Sequence, residues 1–223
     1  ALLIERAGYD VLVSDVREDY VSNLNKKKID TNEPGVRWYL KQTKRFEATT
    51  DNQRVINECD IIICLVATPS LDDGSYDVSS VWKVVEDFKS SSAKLSGKTF
   101  IVGCTTNPGD CEQFAEQLDS FGIDIFYNPE FIAQGTIIKD LRTADMVLIG
   151  GKRTAVAKAI QNRRCLLAGP VGARRESNPR PLHQSGEVGH GALGLHPGRH
   201  ECTTEFLCLR AVAIDPNGSL GRP

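Results

Sequence analysis

The sequence predicts an α/β fold built on a doubly wound parallel sheet, and three observations carry that expectation. Short continuous apolar runs recur along the first two thirds of the 223-residue chain, helical patterns with one apolar face lie between them, and polar residues close the runs. Apolar runs without alternation suit strands buried on both faces, as in a parallel sheet with helices on either side. Such sheets bind ligands beyond the carboxyl ends of their strands, so the residues that close the runs are the candidate site.

The chain opens Ala1-Leu2-Leu3-Ile4-Glu5-Arg6-Ala7-Gly8, which reads as a helix tail stopped by glycine, and Val11-Leu12-Val13 follows as a strand ending in Ser14-Asp15. A helix feeding straight into a strand is the second half of a βαβ unit, so a first strand and its glycine-rich, phosphate-cradling turn are expected ahead of Ala1. The absence of an initiator methionine, with Met146 the one Met of the chain, fits that expectation. Glu5 and Arg6 interrupt the short apolar run, so it does not read as a signal peptide.

The second run, Ile61-Ile62-Ile63-Cys64-Leu65-Val66, closes on Ala67-Thr68-Pro69-Ser70, where a proline without an N–H stops the strand. Asp72-Asp73-Gly74-Ser75-Tyr76-Asp77 then reads as a solvated turn rather than a metal site. Val78, Val81, Trp82, Val85 and Phe88 share one face of a helix, and Thr99-Phe100-Ile101-Val102 is the third run, closing on Gly103-Cys104-Thr105-Thr106. A second helical face carries Cys111, Phe114, Ala115 and Leu118. Ile123-Asp124-Ile125-Phe126 leads into Asn128-Pro129-Glu130-Phe131-Ile132-Ala133-Gln134-Gly135, and Met146-Val147-Leu148-Ile149 is expected as the last strand.

Composition changes abruptly after about Gly169. Lysine stops at Lys158, all four histidines crowd between His183 and His200, and Arg, Gly and Pro replace the apolar pattern. The chain therefore divides into a partial nucleotide-binding domain over 1–165 and an irregular tail over 166–223 that should not build a core. Two origins fit the tail equally: translation in a shifted frame from about residues 162–170, or a natural Gly/Pro-rich disordered segment. Its His183, His190, His196, His200, Cys202 and Cys208 lack paired ligand spacing apart from His196 and His200, so no metal is expected.

A formal net charge of −2 with both signs interspersed argues against a nucleic-acid partner, and Lys26-Lys27-Lys28 reads as a solvated helix end. No stretch is long and apolar enough to span a membrane. Cys64 and Cys104 in buried strands, with Cys59 just before one, suit reduced core thiols of a cytoplasmic protein.

Asp15, Thr68-Pro69, Cys104-Thr105-Thr106 and Asn128-Pro129-Glu130-Phe131 stand in the order and spacing of one family. Over residues 1 to about 152 the chain resembles the UDP-glucose/GDP-mannose dehydrogenases, with a Rossmann-like sheet that here lacks its first strand and glycine-rich turn. The resemblance implies an oxidoreductase that converts the C6 alcohol of a UDP- or GDP-hexose, UDP-glucose foremost, to the carboxylate with two NAD. It implies a homo-oligomeric full-length protein and a role in polysaccharide biosynthesis.

Residue by residue, the resemblance places Asp15 on the adenosine ribose of NAD, where an acidic side chain also repels a 2′-phosphate. Thr68 and Pro69 lie against the dinucleotide, and Thr105 touches the cofactor and positions a water. Glu130 is the carboxylate that takes that water's proton when an acyl intermediate is hydrolysed. Phe131, Ile132 and Gln134 face the nucleotide sugar. Three positions depart from the family pattern: Tyr20 stands where relatives carry Arg or Lys, Pro108 falls one place late, and Gln134 replaces a second Glu. The family's oxyanion lysine and nucleophilic cysteine belong to later domains, and nothing in residues 153–223 resembles either, so this chain alone is expected to lack turnover. Two other readings remain: a non-catalytic remnant of the same fold, and a βαβ dehydrogenase of the 6-phosphogluconate type.

Overall fold

A computed structural model describes residues 1–143, 147–151 and the strand at 204–210. Helix α1 (Leu2–Arg6) leads into strand β1 (Asp10–Asp15), whose residues after Asp10 are all buried. Helices α2 (Glu18–Asn25) and α3 (Val36–Gln42) precede β2 (Phe46–Thr49). Helix α4 (Asn52–Glu58) starts at Asp51, whose carboxylate accepts from the Arg54 amide and so satisfies one of the free N–H groups of the first turn.

Strand β3 (Ile61–Val66) shows why its run is apolar throughout. Ile62, Cys64 and Val66 enter the main core, while Ile61, Ile63 and Leu65 pack with Val11 and Val13 on the other face. Helix α5 (Ser79–Ser90) then buries Val81, Val84, Val85 and Phe88, and β4 (Thr99–Val102) buries Phe100 and Val102. The Phe88 and Phe100 rings meet edge to face at 5.0 Å, and Trp82 meets Phe114 of α6 (Asp110–Leu118) at 4.7 Å, locking α5 to the sheet and to its neighbouring helix. Strand β5 (Asp124–Tyr127) and helix α7 (Ile137–Arg142) follow, then β6 (Gly150–Gly151) and β7 (Thr204–Arg210).

The sheet order is β2-β1-β7-β3-β4-β5-β6. β1 pairs parallel with β2, and β3, β4 and β5 pair parallel in turn, so the expected doubly wound α/β class stands. Two strands run against the rest. β7 lies antiparallel between β1 and β3, and β6 pairs antiparallel with β5.

Several expectations change here. The tail was read as irregular over 166–223, yet residues 204–210 form a strand in the middle of the sheet. The rest of that stretch, with its four histidines, lies outside the described residues, as do residues 162–170, where a frame change was one of the two expected origins. A last strand at 146–149 is not found for Val147, Leu148 and Ile149. Val147 and Leu148 are left over 40% exposed, and the sheet ends instead on the two glycines of β6. β2 had no apolar run to announce it, because as an edge strand it buries Ala48 alone. Cys64 and Cys104 are buried free thiols, as expected, whereas Cys59 is disulfide-bonded. Among the described residues no helix is long and apolar enough to cross a membrane.

Candidate functional site

Because β1, β3, β4 and β5 run in one direction, the segments that follow them emerge on one edge. Asp15 ends β1, Thr68 and Pro69 follow β3, Thr105 follows β4, and Glu130 follows β5. The structure thus gathers every sequence-derived site residue along the carboxyl edge. Asp15 and Glu130 are four strand intervals apart, about 19 Å at ordinary strand spacing, room for an extended dinucleotide.

At the β1 end Asp15 is 1% exposed. Its Oδ1 accepts from the Arg17 amide at 2.9 Å and from Arg17 Nε at 3.1 Å, and its Oδ2 accepts from the guanidinium at 3.1 Å. The same guanidinium stacks over the Tyr20 ring at 4.3 Å. Tyr20 therefore serves as a platform for Arg17, which brings a positive charge to this edge from two residues after Asp15. Sequence reading missed Arg17, although a basic residue beside a strand-ending Asp is a visible signal.

Further along, Gly103 joins β3, β4 and the Glu130 loop. Its amide donates to the Cys64 carbonyl at 2.9 Å, and its own carbonyl accepts from the Glu130 amide at 3.4 Å. A Cβ there would lie 2.6 Å from Leu65 Cδ2 and 3.2 Å from the Cys64 carbonyl oxygen, so the end of the Leu65 side chain would have to move aside. Gly103→Ala is expected to cost about 1–3 kcal/mol through overpacking, seen as a lower urea midpoint. An unchanged midpoint would show that Leu65 yields freely and that Gly103 fixes nothing.

Thr105 is exposed at this edge and Glu130 half-buried. The Thr68 and Thr105 loops are joined by Asn107, which accepts from the Tyr76 amide at 2.8 Å and donates to the Tyr76 carbonyl at 2.9 Å. Asp110 Oδ2 in turn accepts from the Asn107 amide at 2.7 Å and from its side chain at 2.9 Å. The displaced proline thus leaves room for an asparagine that ties two site loops together. Behind them the Cys64 thiol is pushed up by its contact with Cys104 and by burial, and burial pushes up Cys111 as well, so neither is poised as a thiolate nucleophile.

The loop after β5 carries Phe131 at 53% and Ile132 at 40% exposure, with Gln134 also exposed. Large apolar side chains left out of the core on a ligand edge are available to a ligand. Asp140 Oδ2 grips the turn that follows, accepting from the Ala133 amide at 3.1 Å and the Thr136 hydroxyl at 2.6 Å. Those bonds, Thr136 first, hold the Asp140 carboxyl below its usual range. Gly135 has φ +91° and donates its amide to Glu33 Oε1 at 2.5 Å. Glu33 and Asp140 were not singled out in the sequence.

The chemistry along the edge, a carboxylate at the β1 end and hydroxyl-bearing loops farther along, is compatible with the donors and acceptors of NAD. A glycine-rich turn between β1 and β3 is not found among the described residues, since β7 enters this edge by its amino end.

Comparison with known proteins agrees with the geometry. Residues 1–163 match the NAD binding domain of the UDP-glucose/GDP-mannose dehydrogenase family. UDP-glucose 6-dehydrogenase 1 of Arabidopsis thaliana is 33% identical, the match covering 68% of this chain and 34% of that protein. GDP-mannose 6-dehydrogenase of Pseudomonas aeruginosa is 29% identical over 64% of this chain and 36% of its own length. The chain thus spans about a third of the length of these relatives. In fold it is similar to a GDP-mannose dehydrogenase ternary complex from Pseudomonas aeruginosa, with TM-score 0.68 and 23% identity over 75% of this chain and 41% of that one. A UDP-D-ManNAc dehydrogenase from Pyrococcus horikoshii gives TM-score 0.67 at 23% identity, covering 76% and 42%. With a match to the family's NAD binding domain across residues 1–163, the chain belongs to the UDP-glucose/GDP-mannose dehydrogenase family.

Proposed function

We propose that this chain is the cofactor-binding part of a cytoplasmic, homo-oligomeric nucleotide-sugar 6-dehydrogenase that oxidises the C6 alcohol of UDP-glucose to the carboxylate. GDP-mannose is the alternative substrate. The observation that supports the reading is the backbone bond from the Glu130 amide to the Gly103 carbonyl, which joins the loop of residue 130 to the one bearing Thr105 on the ligand edge. When bound, NAD supplies the hydride acceptor. Asp15 would hold its adenosine ribose, and Thr68 and Pro69 would line its path. Thr105 would orient a water whose proton Glu130 takes, and Phe131, Ile132 and Gln134 would contact the nucleotide sugar.

A non-catalytic nucleotide-binding role is the second reading, favoured by the reversed direction of β7 between β1 and β3, which leaves no strand-to-helix turn there among the described residues.

The cofactor assignment is tested by supplying a strand and glycine-rich turn ahead of residue 1 and titrating NAD and NADP by calorimetry. NAD is expected to bind more tightly. Asp15→Ala should weaken NAD and strengthen NADP, because it removes the ribose acceptor and the carboxylate that the Arg17 guanidinium pairs with, so that guanidinium can meet a 2′-phosphate. Equal affinity for the two cofactors before the substitution would sink the assignment.

A further inference from the structure

Among the described residues, one polar tie reaches positions 131–136 from outside the 128–143 segment, and it comes from 102 residues earlier in the chain. Glu33 is itself well placed to hold it. Its amide donates to the Thr31 hydroxyl at 3.1 Å, and its carbonyl accepts from the Val36 amide as α3 begins. Pro34 follows at once, and Gly35 turns the chain with φ +82°. A Cβ on Gly35 would lie 3.4 Å from Ile138 Cδ1, so the Glu33 turn and the start of α7 are in near contact. From this turn Oε1 takes the Gly135 amide, while Oε2 is buried and finds no hydrogen-bond partner among the described residues.

We propose that Glu33 is the positioning residue of the nucleotide-sugar loop: through the Gly135 amide it sets where Phe131, Ile132 and Gln134 stand, and it does so with a tie that can be released. The local bonds to Asp140 shape the turn but move with it, whereas Glu33 is anchored at the start of a different helix and fixes the turn relative to the sheet. Release follows from Oε2. A carboxylate oxygen buried without a donor is costly, and opening the loop hydrates it, so the closed state is held by less than the short Oε1 bond alone would give. A loop that must admit a bulky nucleotide sugar and then grip it needs that balance. The loop's ligand rests on the function proposed above; the tie itself does not.

The test is amide hydrogen exchange on the whole chain, comparing parent, Glu33→Ala and Glu33→Gln. Glu33→Ala is expected to speed exchange over residues 131–137 about tenfold, the worth of one side-chain tie, with the remaining segments and the thermal midpoint unchanged. Glu33→Gln keeps a carbonyl oxygen for the Gly135 amide and should stay within about threefold of the parent. Unchanged exchange in Glu33→Ala, or a rise spread evenly through the molecule, overturns the proposal. Adding UDP-glucose or GDP-mannose separates the two levels. Slower loop exchange in the parent but not in Glu33→Ala supports the positioning role. A loop that responds to Glu33→Ala while neither sugar changes the parent leaves the tie intact and removes the nucleotide-sugar assignment.

Discussion

Phe100→Ala is expected to destabilise the protein by about 3–5 kcal/mol, the usual cost of emptying a fully buried aromatic site. Phe100 is 0% exposed in β4, paired in register with Ile62 of β3 and Ile125 of β5, and its ring meets Phe88 of α5 edge to face. The cavity would thus open where the sheet and its covering helix join, and flanking strands that are hydrogen-bonded on both sides cannot collapse into it. For a chain of this size the thermal midpoint should fall by roughly 10 °C. Phe131→Ala provides the contrast. Its ring is 53% exposed, so the same change of residue should move stability by no more than about 0.5 kcal/mol. A loss under about 1 kcal/mol for Phe100→Ala would mean that β4 is not the centre of a packed sheet.

How far the sequence revealed this fold depends on what each element packs against. β3 was readable because one face is fully buried in the main core and the other packs Ile61, Ile63 and Leu65 against Val11 and Val13, so every position is apolar. β2 was not, since an edge strand can place Glu47 in solvent and bury one alanine. β7 carries Phe206-Leu207-Cys208-Leu209, a run as apolar as β4, but it stands in Arg-, Gly-, Pro- and His-rich sequence, and composition outweighed the local pattern. At the candidate site, the placement of Asp15, Thr105 and Glu130 at or just beyond strand ends was legible because strand ends are fixed by the strands themselves. Their partners were not. Arg17 reaches Asp15 through a local turn, Asn107 joins two loops, and Glu33 meets Gly135 across 102 residues. A contact between distant loops leaves no periodic trace in sequence.

Glu130→Gln, made in a full-length enzyme that carries this domain, is expected to slow hydrolysis of the acyl intermediate by about 10²–10⁴-fold, the range for loss of a general base. The substitution keeps the size and one acceptor oxygen of the side chain, so it can still hold a water, but a neutral amide cannot take that water's proton. The geometry makes the result interpretable. Residue 130 is anchored to the Gly103 carbonyl by its backbone amide, and a change of side chain leaves that bond in place. In the proposed mechanism this carboxylate acts at hydrolysis, so the sugar–enzyme adduct should accumulate and appear as a mass increase on the intact protein. Thr105→Ala leaves the base and removes one contact to the water, and should give a smaller slowing with the same adduct. Parent turnover without an adduct in Glu130→Gln would make Glu130 a loop residue held beside β4 for packing alone, and the proton would have to leave by another group.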